Sequence, residues 1–260
     1  MNQAGRIAAL RDQVVAVSGG YFRNLIRTGT CSRCFTPIAT PELCPPCRQE
    51  SVVDGLPDAI GFMTYASADE PIQQSGRVMH GYKSPIFPSV NAMRAVRLLA
   101  ALALKGHTTC LGQLVGAVPT AWAAVPSLPP KPSQDHPLAQ MLRSLARPNS
   151  VEIVLHGTEL PVKPRSLSAA NYIVESAIPD RAHVLLIEDT WTSGGHAQSA
   201  ALALRAAGAA RVSLLALARW LSVGWEATTP AWMRDNLVGP DYDPYICPWT
   251  QDRCPASPRR

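Results

Sequence analysis

The sequence predicts an α/β fold, a parallel sheet faced by helices, with a small cysteine-bearing module ahead of it. Three observations carry this. Helix and strand signals alternate from residue 138 to residue 218, an apolar stretch at 184–187 runs straight into two acids, and two C-x2-C pairs precede both. Alternation of that kind implies parallel strands joined by helical crossovers. A continuous apolar strand implies burial on both faces of a sheet.

A chain of 260 residues with 47% hydrophobic content can bury the core of one α/β domain plus an appendage. The expected divisions are an amino-terminal helix and four-cysteine module at 1–55, the α/β domain at 56–222 and an irregular tail at 223–260. The net charge of +5 comes from basic residues scattered among Arg6, Arg23, Arg48, Arg94 and Arg143. Such scatter favours anionic ligands weakly and gives no concentrated nucleic-acid footprint. Arg6 and Arg11 interrupt the first amphipathic stretch, so no secretory signal is expected and the location is expected to be cytoplasmic. The most apolar run, 98–104, stops at Lys105-Gly106-His107. That is well short of the roughly 20 residues of a membrane span, so it reads as a buried helix and no membrane span is expected.

Taken in order, Ile7, Leu10, Val14 and Val17 recur at helical spacing and meet Ser18-Gly19-Gly20, which predicts a helix ending at a glycine. Residues 59–66 (AIGFMTYA) predict a strand. Ser89 caps a helix that Gly106 stops, and 121–125 predicts a second strand. Prolines at 126, 129, 130, 132 and 137 preclude regular structure and mark a surface loop. Beyond it the pattern predicts helix 138–146, strand 151–155, a helix near 167–177, strand 183–188, helix 197–207 and strand 212–218.

The strand ending at Glu188 and Asp189 places two costly carboxylates at its carboxyl end, where open α/β sheets bind ligands. Thr192, Ser193, Gly194 and Gly195 then form a turn whose amides can point inward, and the helix beginning near His196 adds its positive dipole end. Such a turn holds a phosphate. Carboxylates beside it accept hydrogen bonds from vicinal hydroxyls and favour a divalent cation, and ribose 5-phosphate has the matching shape.

Cys31 and Cys34 form one C-x2-C pair and Cys44 and Cys47 a second, separated by nine residues. In a cytosolic chain such pairs read as zinc ligands rather than disulfides. Four thiolates close a tetrahedral site with no open position, so the zinc would be structural.

Residues 184–196, VLLIEDTWTSGGH, resemble the signature of type I phosphoribosyltransferases, and twelve of the thirteen positions fit. The resemblance implies that Glu188 and Asp189 hold ribose hydroxyls as the catalytic acids, while Thr192, Ser193, Gly194, Gly195 and His196 hold the 5-phosphate. His196 departs from the hydroxyl residue usual there. An amino-terminal four-cysteine module before such a domain resembles the ComF family, associated with DNA uptake. Looser similarities are His80-Gly81-Tyr82-Lys83, Val125-Pro126 and the segment 165–171. Where that family has an arginine-rich loop, this chain has SLPPKPSQDHP, leaving Lys131 as the pyrophosphate-binding cation.

Two functions follow from the resemblance. One is a magnesium-dependent transferase moving ribose 5-phosphate between phosphoribosyl pyrophosphate and a nitrogen nucleophile. The other is a non-catalytic module that binds a nucleotide, with the zinc element contacting single-stranded DNA or a protein partner. The acceptor base would lie under a hood drawn from Tyr65, Tyr82 or the tail. Cys247 and Cys254 read as a metal half-site or as nothing further, and Cys110, after His107, as a buried thiol with no third partner. His80, His136 and His156 read as isolated, and Trp220, Trp225, Trp232 and Trp249 as cover for the sheet edge.

Overall fold

A computed structural model describes residues 2–40, 42–84, 86–130, 136–159, 167–224, 229–239 and 241–252. The elements run α1 (Gln3–Ser18), α2 (Pro45–Glu50), β1 (Ala59–Ser67), α3 (Gln73–Gly81), α4 (Val90–Gly106), α5 (Thr108–Val115), β2 (Ala121–Ala124) and α6 (Pro137–Arg143). They continue with β3 (Val151–Glu152), β4 (Leu155–Gly157), β5 (Tyr172–Val174), β6 (His183–Trp191), α7 (Gly195–Ala206), β7 (Arg211–Leu221) and α8 (Thr229–Leu237). Five strands form a parallel sheet in the order β1-β7-β6-β2-β3, and β4 and β5 make a separate antiparallel pair. The α/β class expected from the alternation is therefore present.

The chain divides into two compact units. The first comprises Met1–Val52, Phe62–Cys110 and Leu217–Arg260, and the second Val53–Gly61 and Leu111–Ala216. In the first unit α4 buries Ala92, Ala95, Val96, Leu99 and Leu102 along one stripe, the 3.6-residue spacing that marks a core-facing helix. Ser89 caps it, its hydroxyl accepting from the Ala92 amide at 3.3 Å. No single described helix is long and apolar enough to cross a membrane.

In the second unit β6 lies between β7 and β2 and buries Val184, Leu185, Leu186 and Ile187. Its companion α7 buries Ala197, Ala200, Ala201 and Leu204. Small side chains on that face let the helix lie close to the strands.

Three elements differ from the sequence expectation. Where a helix near 167–177 is expected, a 3-10 turn at Ala169–Asn171 leads into β5, which pairs antiparallel with β4. The run Tyr172-Ile173-Val174, aromatic then β-branched, prefers a pleated strand, and this outweighs the helical spacing around it. The strand expected at 151–155 is split. Val151 and Glu152 pair with β2, and Leu155 turns away to pair with Val174. The tail holds a helix, α8, which buries Met233 and Leu237 at i, i+4 spacing.

Candidate ligand site and metal centre

Both β2 and β6 end on the same edge of the sheet. Ala124 is in register with Ile187, and the Val125 amide donates to the Ile187 carbonyl at 2.9 Å. The chain thus leaves β2 beside Glu188. β6 itself continues past Glu188 to Trp191, so Glu188 and Asp189 are consecutive strand residues and address opposite faces. Asp189 is buried and Glu188 half-buried.

Their neighbours differ accordingly. Oδ2 of Asp189 lies 3.9 Å from Nε2 of His136, the residue that caps α6 by accepting from the Leu138 amide through Nδ1 at 3.3 Å. Glu188 lies near the Tyr172 phenol, whose pKa is raised by burial and further by the Glu188 charge. One oxygen of Glu188 also accepts from the Asp189 amide at 3.2 Å. His136 is thus not isolated, and its link to Asp189 is a contact the sequence did not reveal.

Thr192, Ser193 and Gly194 make the bend between β6 and α7, and the helix begins at Gly195. Gly194 takes the left-handed conformation at φ 86°, which an L side chain adopts at a cost. A Cβ there would fall on the Trp191 indole, so glycine is required twice over. Thr192 and Ser193 are exposed, Gly194 and Gly195 buried and His196 half-buried. The turn therefore presents two exposed hydroxyls at the amino end of a twelve-residue helix, where an anion is favoured. Lys131 and residues 165 and 166 of the basic segment lie outside the described residues, as do Trp225 and Cys254.

In the first unit, Cys31, Cys34, Cys44 and Cys47 are buried with their sulfurs mutually within 4.8 Å. Cys34 and Cys44 Sγ stand 3.6 Å apart, close to the roughly 3.8 Å edge of a tetrahedron with zinc–sulfur bonds of about 2.3 Å. The first pair sits on a tight knuckle: the Cys31 amide donates to the Thr36 carbonyl at 2.8 Å and the Phe35 amide to the Cys31 carbonyl at 3.0 Å, with Phe35 left-handed at φ 57°. The second pair opens α2, Cys44 immediately before the helix and Cys47 as its third residue. The Cys44 amide donates to Cys31 Sγ at 3.3 Å. Hydrogen bonds from Cys34, Cys44 and Cys47 hold the Cys31 thiol well below its ordinary pKa. The donor set and its spacing fit zinc.

Arg219, buried at the end of β7, braces this knuckle. Its Nε donates to the Cys34 carbonyl at 2.5 Å, and its guanidinium also reaches Thr36 Oγ1. Tyr65 donates its hydroxyl to the Phe35 carbonyl at 3.1 Å. Tyr65 and Tyr82, named from the sequence as candidates for a hood over the base, are both fully buried.

The other singled-out residues find partners. His80 stacks edge-on against Trp220, and His156 Nε2 lies 2.7 Å from Glu175 Oε2. Trp232 packs edge-on against Tyr65. Cys110 is buried in a disulfide, and Cys247, a free thiol, lies beside it and His107. The expectation of a buried thiol at Cys110 with no third partner is thereby corrected: the residue is buried, but its sulfur is in a disulfide and has two metal-ligating neighbours.

No protein-family model matches the chain, and no curated protein matches it. Among solved structures, a phosphoribosyltransferase from Corynebacterium diphtheriae is similar at 21% identity, with a TM-score of 0.29, over 54% of this chain and 70% of that one. A likeness so distant leaves the residues themselves to speak for function.

Proposed function

We propose that the carboxyl edge of β2 and β6 binds a phosphoribosylated ligand, phosphoribosyl pyrophosphate or a nucleotide, together with magnesium. The observation that carries this reading is the buried Asp189 near the end of β6, three residues before a turn whose Gly194 is left-handed and heads α7. In it, Glu188 and Asp189 accept from the ribose hydroxyls, and the Thr192 to His196 turn takes the 5-phosphate through hydroxyls and amides. Magnesium would supply charge to stabilise departing pyrophosphate. Lys131 is the cation assigned to that pyrophosphate, and Cys31, Cys34, Cys44 and Cys47 hold a structural zinc.

On this reading the chain is a transferase of the phosphoribosyl group. A second reading, binding without turnover in a ComF-like role, is favoured by one observation. Between Pro126 and Pro137, where charge on pyrophosphate needs neutralising, Lys131 is the sole Lys or Arg. There the zinc module would contact single-stranded DNA or a protein.

Titration calorimetry of the zinc-loaded chain tests the shared claim: magnesium-dependent binding of phosphoribosyl pyrophosphate or a nucleotide, abolished by Asp189→Asn. Absence of binding for both ligands overturns it. Pyrophosphate release with a panel of nucleobases separates transferase from binding module.

A further inference from the structure

His107, Cys110 and Cys247 bring three metal-ligating atoms within 4.8 Å of one another, and all three residues are buried. His107 Nδ1 faces Cys110 Sγ at 4.0 Å, and the buried imidazole also bonds to the Pro244 backbone. A ligating imidazole binds metal through one nitrogen while a backbone group orients its ring, and His107 has both a sulfur before Nδ1 and a backbone partner. A metal held through Nδ1 would join the imidazole to the two sulfurs.

The backbone around these residues repeats the four-cysteine site. The Cys247 amide donates to the Asp252 carbonyl at 2.7 Å and the Gln251 amide to the Cys247 carbonyl at 2.8 Å, with Gln251 left-handed at φ 52°. The same two bonds and the same left-handed fifth residue define the Cys31 knuckle. The helical half is repeated as well. His107 immediately precedes α5 and Cys110 is its third residue, as Cys44 and Cys47 stand to α2. The one protein ligand without a counterpart is Cys34, whose place in the second knuckle is taken by Thr250.

We propose that His107, Cys110 and Cys247 form a second zinc site, which fastens the tail to the corner between α4 and α5. Two sulfurs and an imidazole suit zinc over harder cations. The site belongs to the reduced chain, because a thiolate at Cys110 and its disulfide exclude one another. A dithiol reductant opens that disulfide, becoming a cyclic disulfide itself as it delivers two electrons and two protons; zinc then displaces the proton from each thiol it binds.

Zinc content of the full-length chain, purified with zinc under a dithiol and then desalted, tests this. The expected result is two zinc ions per chain, falling to one in Cys247→Ser and in His107→Ala. One zinc in the unaltered chain overturns the proposal without reference to any variant, and two retained in both variants overturns it equally. Cobalt substitution reads the ligand set directly. The unaltered chain should show a nitrogen-containing cobalt centre beside the four-thiolate one, and a purely four-thiolate spectrum refutes the assignment even where a variant fails to fold.

Discussion

His136 Nε2 lies 3.9 Å from Asp189 Oδ2, and the same imidazole caps α6 through its other nitrogen. One side chain thus ties the loop following β2 to the buried carboxylate at the end of β6. Removing it strips a cap from the helix and a polar neighbour from Asp189. His136→Ala is expected to cost about 1–2 kcal/mol in urea unfolding, with His136→Asn, which can still cap, recovering part of it. Equal losses in the two variants would show that capping contributes nothing.

Gly194→Ala meets two penalties at one atom. The left-handed φ of 86° disfavours any side chain, and the new methyl overlaps the buried Trp191 ring. The expected loss is at least about 2 kcal/mol. Trp191→Ala alone opens a cavity, yet it also clears the space the methyl needs. The two substitutions should therefore be less than additive, as a double-mutant cycle by chemical denaturation would read.

Much of this arrangement is legible in the sequence because it is local. The run 184–187 announces a doubly buried strand, Ser89 and Gly106 bracket α4, and the paired cysteines announce their own cluster. What is not legible depends on residues distant in the chain. His136 meets Asp189, and Cys247 meets His107 and Cys110, through chain paths that no spacing rule connects. The strand β5 is missed for a different reason: its three residues carry strand preference inside a stretch whose apolar spacing is helical. Glu188 and Asp189 read as one acidic pair at a strand's end, but β6 continues to Trp191, and the pleat then separates their neighbours.

Arg219 is fully buried, and its guanidinium bonds to the carbonyls of Cys34 and Trp220 and to Thr36. With zinc in place, its positive charge also offsets a centre of four thiolates. Arg219→Met keeps the bulk but leaves buried carbonyls and excess negative charge without a partner. We expect a loss of about 3–5 kcal/mol and faster release of zinc to a chelator, followed by a chromogenic zinc indicator. Unaltered release kinetics would confine the role of Arg219 to packing.

His183 starts β6 wholly buried, Nδ1 donating to the Ala117 carbonyl at 2.9 Å and Nε2 accepting from the Ser213 hydroxyl at 2.9 Å. Burial lowers its pKa from 6.5, with Arg211 and Arg205 acting in the same direction and the Ala117 carbonyl and Asp58 opposing. The neutral ring is therefore favoured by folding. Above pH 6.5 both folded and unfolded chains carry it neutral, and its contribution is fully present. As the pH falls below 6.5 the unfolded chain takes up a proton that the folded chain refuses, so stability declines until the folded pKa is passed. One proton limits the slope to about 1.4 kcal/mol per pH unit. Burial holds His107 neutral as well, at a pKa of about 4, and that contribution is common to any pair of proteins differing only at position 183. His183→Gln, which can keep a donor and an acceptor, should flatten the decline below pH 6.5 relative to the unaltered chain in urea titrations. Parallel pH profiles for the two proteins would mean that folding leaves the His183 pKa unshifted.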